Sequence, residues 1–278
     1  MPDARDWTRD DTARFLRVPT ADDDKYSRGV VGLRTGSSAY PGAAVLGVEA
    51  AWRAGAGFVR YIGEGRAADA VIARRPETVV SARASGARVG AWVIGSGTDA
   101  AHRSPEDTDE LRELVGGSVP VVVDAGALDL APDGTAPLLL TPHGREFARL
   151  QEQQGVESPD DRAEAAAVVA AELEAVVLLK GAQTLIADPE GRVLRVDAGT
   201  GWLSTAGTGD VLGGVLGTML AANPDAPIAE VAAAGAWLHG HAGRIAAGIG
   251  AVGGADGHPI VALDVAEALP RAIADVLA

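Results

Sequence analysis

Residues 204–214 read Ser-Thr-Ala-Gly-Thr-Gly-Asp-Val-Leu-Gly-Gly, which sets small residues and one carboxylate inside a single turn. Val211, Leu212, Val215, Leu216, Met219 and Leu220 follow at helical spacing, and the pattern stops before Asn223-Pro224. The loop therefore opens a helix, whose dipole and free N–H groups favour an anion. Gly207 and Gly209 leave those N–H groups uncovered, as a phosphate cradle requires. Asp210 competes with phosphate for the same positive site. It is either a helix N-terminal acid, stabilising by a fraction of a kcal/mol, or a base held beside a phosphate. The residue types alone leave both readings open.

Two other patterns could carry chemistry. No stretch supplies the Gly, four residues, Gly-Lys-Ser/Thr of a P-loop. Gly-Ser-Gly-Thr-Asp-Ala at 95–100 matches the dinucleotide fingerprint, but the acidic residue due about 20 positions on at a strand end is missing. Gly95 and Gly97 read better as places where backbone approaches something closely. His239 and His241 are spaced i,i+2, which on a helix directs them to different faces, so they read as structural and no metal ligand set is assigned.

These residues need a frame. Short β-branched runs at 29–35, 57–62, 90–95, 119–124, 137–141 and 175–180 read as strands, several of them apolar throughout. Stretches 41–55, 105–115 and 159–173 read as helices, each with Pro at or near its start. The alternation predicts an α/β fold, a mostly parallel central sheet with helices on both faces. Thr184 to Val196 reads as one β-hairpin turning at Asp188 to Gly191. Open parallel sheets bind ligands beyond the C-terminal ends of their strands. That rule singles out Gly36, Gly95, Asp124, His143 and Lys180, each of which could equally just turn the chain.

Bulk properties narrow the partners. A formal charge of −14 argues against nucleic acid and anionic membranes, so any phosphate must be held by backbone N–H groups and a few placed cations. The chain has no cysteine, which removes disulfides, thiolate metal sites and Cys nucleophiles. The charge-dense N-terminus lacks the apolar core of a signal peptide, and no apolar run reaches the roughly 18 residues of a membrane span, so a cytoplasmic location is expected. With 278 residues, one domain over 25–278 is expected. Residues 1–24 read as an extension, loosely ordered or given to a partner interface.

Ser204 to Ala221 resembles the signature of the ribokinase-like enzymes, specifically the ADP/ATP-dependent NAD(P)H-hydrate dehydratases. Lys25 to Tyr61, Ala91 to Gly97, Val119 to Leu128, Leu138 to Leu150 and Val176 to Arg192 follow in that family's order and spacing. The resemblance implies a ribokinase-like fold and a hydrated nicotinamide cofactor, NADHX or NADPHX in its S epimer, repaired with ADP or ATP as co-substrate and Mg²⁺. It implies Asp210 as catalytic base at the substrate hydroxyl, with Gly207, Thr208 and Gly209 lining the phosphate's oxyanion site. Lys180, Gly181, Ala182, Gln183 and Thr184 would contact the nucleotide, and Ala43, Gly97 and His143 the hydrated cofactor. A homo-oligomer, tetrameric in the family, and a separate epimerase acting on the same metabolite are also implied, because 278 residues cover the dehydratase part only.

The chain departs from the family pattern at Ala206 (usually Gly), Gly126 (usually a second Asp) and Ser96 (often Pro). Rival readings are a ribokinase-like kinase for a small alcohol, a Rossmann oxidoreductase resting on residues 95–100, and a nucleotide sensor needing no base at position 210.

Overall fold

The computed structural model describes residues 4–156, 159–250 and 256–278. Ten strands among them form one sheet: β1 (Arg5–Asp6), β2 (Val30–Arg34), β3 (Phe58–Ile62), β4 (Val79–Ser81), β5 (Ala91–Ile94), β6 (Val121–Val123), β7 (Leu138–Leu140), β8 (Val176–Leu179), β9 (Thr184–Ala187) and β10 (Val193–Val196). Their order across the sheet is β1-β10-β9-β8-β7-β6-β5-β2-β3-β4. Pairing is parallel from β4 through to β8 and antiparallel at β8–β9 and β9–β10. The expected hairpin is thus β9–β10, closed by the Asp188–Gly191 turn. The antiparallel run begins one strand earlier than expected, because residues 180–183 also turn tightly.

The central strands β5, β6, β7 and β8 are apolar throughout because both faces are covered. Along β5, β6, β7 and β8 the period-2 alternation sends Val93, Val122, Leu139 and Leu178 into one core, and Ile94, Val123, Leu140 and Leu179 into the other. The first core is covered by α1 (Arg9–Ala13), α2 (Pro41–Arg53), α3 (Gly65–Arg74), α7 (Thr208–Ala222), α8 (Ile228–Ala246) and α9 (Ala262–Leu277). The second is covered by α4 (Pro105–Val115), α5 (Gly144–Gln154), α6 (Arg162–Glu172) and a 3-10 run, Ala125–Asp133. Helices α2 and α4 start where Pro41 and Pro105 announce them. Helix α6 starts later than Pro159, because the Asp161 carboxylate caps the N–H groups of Ala163 and Glu164.

The N-terminal segment differs from its expectation of loose order. Arg5 and Asp6 pair with Leu194 and Arg195, and Trp7 is buried with its indole N–H donated to Thr12 Oγ1 at 3.0 Å. Residues 5–7 are therefore built onto the β10 edge and α1 onto α8 and α9, an anchoring that shows in the charge-dense sequence only as two aromatics, Trp7 and Phe15.

Candidate active site

The chain runs outward from β2 through β3 to β4, then returns to lay β5 against the other side of β2. The crevice between the loops after β2 and β5 is the switch point where open α/β sheets take ligands. Gly36 and Gly97 meet there: Gly36 N–H donates to the Ser96 carbonyl at 2.7 Å. A Cβ on Gly97 would overlap Ala43 Cβ and lie 3.1 Å from Gly36 Cα. Gly97 and Ala43 are thus brought together. Gly95 closes against Asp124 and Ala127 in the same way. The segment after Gly97 forms one 3-10 turn, Ala100–His102, and not the long helix that a dinucleotide fingerprint opens.

Helix α7 carries Asp210 to this crevice. It is buried on all sides from Val211 to Ala221, more completely than its apolar stripe implied. Its glycines make that possible: a Cβ on Gly214 would overlap the Gly47 carbonyl of α2, and one on Gly217 would overlap Val93 of β5. Gly207 precedes the helix at φ +92°, a left-handed conformation natural to glycine, and a Cβ there would reach Leu46 Cδ1 at 2.6 Å. Thr208 ties the loop down, its hydroxyl donating to the carbonyls of Leu203 at 3.0 Å and Thr205 at 3.1 Å. Its contribution to an anion is therefore its backbone N–H alone.

Asp210 is not a cap. Helix α7 has no side-chain cap hydrogen bond, and among the described residues the Asp210 carboxylate has no hydrogen-bond or ion-pair partner. Burial, with the negative charge of Asp124 adding to it and Lys180 opposing it, raises its pKa to about 6. A carboxylate unengaged, partly desolvated and poised near neutrality has the physical character that general-base work requires.

Four strand tips supply the rest. Lys180, after β8, places Nζ 2.8 Å from Asp124 Oδ1 and 3.6 Å from where a Cβ of Gly209 would stand. The ammonium thus sits against the start of α7. Asp124, after β6, is buried and fully served: Thr141 Oγ1 donates to Oδ1 and Ser96 Oγ to Oδ2, each at 2.9 Å. Asp124 was legible only as a post-strand residue; its part in holding Lys180 appears when β5, β6, β7 and β8 lie side by side. Ser96, where the resemblance leads to Pro, supplies a hydroxyl donor that proline lacks. Gly126, where the resemblance leads to an acid, has no room for one, since a Cβ would overlap the Thr98 carbonyl. Ala206 is exposed, so its methyl meets no obstacle.

Other expected residues lie further apart. Gly181, Ala182 and Gln183 form the exposed turn from β8 into β9, Thr184 opens β9, and Gln183 Nε2 donates to Asp197 at 3.1 Å. His143 stands at the tip of β7, where its Nδ1 accepts the N–H groups of Arg145 and Glu146 and so caps α5. His239 and His241 do part company. His241 stacks on Trp237 and faces Asp275. His239 is buried near the Thr208 backbone, with no hydrogen-bond partner for its Nε2 among the described residues, and burial lowers its pKa to about 4.

The comparisons agree with this geometry. A family profile described as NAD(P)H-hydrate dehydratase matches residues 31–258. The chain belongs to the NAD(P)H-hydrate dehydratase family. The bifunctional NAD(P)H-hydrate repair enzyme Nnr of Mycobacterium leprae is 44% identical over 245 residues, covering 85% of this chain and 50% of that protein. The ADP-dependent (S)-NAD(P)H-hydrate dehydratase of Neisseria meningitidis is 36% identical, covering 83% and 81%. The chain thus spans about half the length of the bifunctional relatives it matches. Among solved structures, the ADP/ATP-dependent NAD(P)H-hydrate dehydratase of Bacillus subtilis, co-crystallised with ATP/Mg²⁺, superposes with a TM-score of 0.82 at 28% identity, covering 98% of this chain and 99% of that one. A ribokinase-like superfamily protein of Enterococcus faecalis shares the fold, with a TM-score of 0.83 at 22% identity. The dehydratase family fold is therefore ribokinase-like, and no helix among the described residues is long and apolar enough to cross a membrane.

Proposed function

We propose that this dehydratase-family chain repairs hydrated NADH or NADPH, in the S epimer, with ADP or ATP. The observation that carries the reading is the unengaged, half-buried Asp210 carboxylate at the N-terminus of α7, near the Lys180 ammonium. Hydroxide is a poor leaving group and phosphate a good one. Asp210 takes the proton of the ring hydroxyl as its oxygen bonds to the terminal phosphorus, and the shortened nucleotide leaves. The C–O bond then breaks toward phosphate, driven by the ring nitrogen, and the neighbouring carbon loses a proton to restore the reduced ring. Backbone N–H groups of Gly207, Thr208 and Gly209 stabilise the transferring oxygens, with Lys180 as the local cation.

Lys180 to Thr184 form the nucleotide contact in this reading, and Ala43, Gly97 and His143 the hydrated-cofactor contact; their support is their common place beyond the strand tips. The described residues hold no cluster of three or more acidic or imidazole side chains. A magnesium ion would be held chiefly by nucleotide phosphates and water, with the unengaged Asp210 carboxylate the acid of this site free to meet that hydration shell. When bound, it neutralises charge on the phosphates. A cytoplasmic site of action, a homo-oligomer of tetramer type and an epimerase supplying the S epimer complete the proposal, the last supported by the bifunctional repair enzymes among the relatives.

The test is to incubate the protein with ATP or ADP and hydrated NADH. Recovery of the reduced-nicotinamide absorbance with release of free phosphate is expected. A stable phospho-product would instead make it a small-alcohol kinase, and no turnover a sensor.

A further inference from the structure

Among the described residues, three buried side-chain nitrogen or oxygen atoms have no hydrogen-bond partner: Thr35 Oγ1, Arg60 Nε and His239 Nε2. Such atoms are rare in folded proteins, because each forgoes the hydrogen bonds it would make with water. His239 lies on α8, the helix on which the phosphate loop is laid. One turn further along the same face, a Cβ on Gly243 would overlap the Leu203 side chain. A Cβ on Gly240 would come within 2.9 Å of the Ala198 and Gly199 backbone. The backbone of α8 thus presses against the segment leading from β10 into α7. Leu203 in turn holds Thr208, whose hydroxyl donates to the Leu203 carbonyl at 3.0 Å. His239 therefore stands under the start of α7, 8% exposed and near the Thr208 backbone.

A leucine would fill this place without leaving a polar atom unserved. What the imidazole adds is a hydrogen-bond donor. Burial keeps the ring neutral near pH 7, so it carries one N–H, and the Thr208 backbone favours its proton as an accepting carbonyl does. That carbonyl has a particular place. It belongs to the same planar peptide unit as the Gly209 N–H, one of the first-turn N–H groups of α7 that have no partner within the helix. Drawing electron density toward the carbonyl oxygen makes the N–H at the other end of the unit a stronger donor.

We propose that His239 is a positioning residue for phosphoryl transfer: its Nε2–H closes onto the Thr208 carbonyl as phosphate seats at the N-terminus of α7, fixing and polarising the Thr208–Gly209 peptide whose N–H holds the transferring oxygens. The proposal rests on the repair reading above. It gives the imidazole no contact with either substrate, only a hold on one peptide unit between them. The unserved Nε2 is then one half of a bond that the seated phosphate completes.

The test compares His239→Leu, which keeps the bulk and removes the donor, with His239→Gln, which keeps an N–H donor. With hydrated NADH and ATP, His239→Leu is expected to lower kcat about tenfold or more, with KM for hydrated NADH within about twofold of wild type. Its thermal midpoint is expected at or above that of wild type, since an unserved polar atom is gone. His239→Gln is expected to recover most of the lost kcat. The Gly209 amide proton supplies a readout without turnover. In NMR it is expected to move downfield when a non-hydrolysable ATP analogue binds to the wild type, and to move less in His239→Leu. An unchanged kcat in His239→Leu, a His239→Gln enzyme as slow as His239→Leu, or a Gly209 shift that is absent from the wild type or equal in His239→Leu overturns the assignment. Turnover of hydrated NADH by the wild type, measured alongside, judges the repair reading separately.

Discussion

Lys180 Nζ and Asp124 Oδ1 stand 2.8 Å apart, an ion pair between the tips of β8 and β6 beside the N-terminus of α7, at the wall of the proposed phosphate site. The pair has one ammonium proton directed at Asp124, leaving two for phosphate oxygens. Lys180→Ala should therefore weaken nucleotide binding roughly ten- to a hundred-fold while sparing the hydrated cofactor. Calorimetry with a non-hydrolysable nucleotide reads this directly. Unchanged affinity would make the pair a purely structural clasp.

Asp210→Asn should lower kcat by roughly 10²–10⁴ and leave nucleotide affinity intact or tighter, since a negative charge beside phosphate is removed. A drop under about tenfold is too small for a lost general base. Wild-type kcat/KM should rise with pH through about 6, because the base exists only above its raised pKa.

Asp124→Asn should move that acid limb to lower pH. The Asp124 charge raises the Asp210 pKa, so its removal lets the base ionise earlier, and Lys180, no longer neutralised, pushes the same way. A limb that stays near pH 6 would deny Asp124 any electrostatic hold on the base.

Gly214→Ala should destabilise the fold by about 1–3 kcal/mol, because its methyl overlaps the Gly47 carbonyl where α2 and α7 touch. Gly42→Ala is the control: nothing lies within 4 Å of its Cβ position, so it should be neutral or stabilising by up to about 1 kcal/mol. Thermal unfolding of the two variants side by side decides it. Equal midpoints would mean that α2 and α7 have slack between them.

His239 should couple stability to pH. Its folded pKa, about 4, lies below the ordinary value of 6.5 because burial disfavours the cation. The unfolded chain therefore binds more protons between those values, and stability falls as pH drops through that window, by roughly 3 kcal/mol. Urea unfolding of wild type and His239→Gln at pH 7 and pH 4.5 isolates the effect. A difference between the two proteins that does not change with pH would show that His239 titrates normally.

The sequence by itself determined most of the frame. The six apolar runs are six strands because a strand buried on both faces must be apolar at every position, and a run that short cannot hide. Gly207 to Asp210 and the helix behind them were legible for a similar reason, local backbone chemistry written in adjacent residues. Helices α8 and α9 were passed over: α8 lacks a side-chain cap, α9 carries Pro270 inside, and their Ala-rich faces acquire meaning only against α7. Only the tertiary structure decided the surroundings of Asp210. A helix-start acid and a catalytic base look alike in one dimension, and they differ in burial, in the nearness of Asp124 and in the absence of a capped N–H, all set by distant segments. The same holds for Asp124, whose three donors come from three other strand tips.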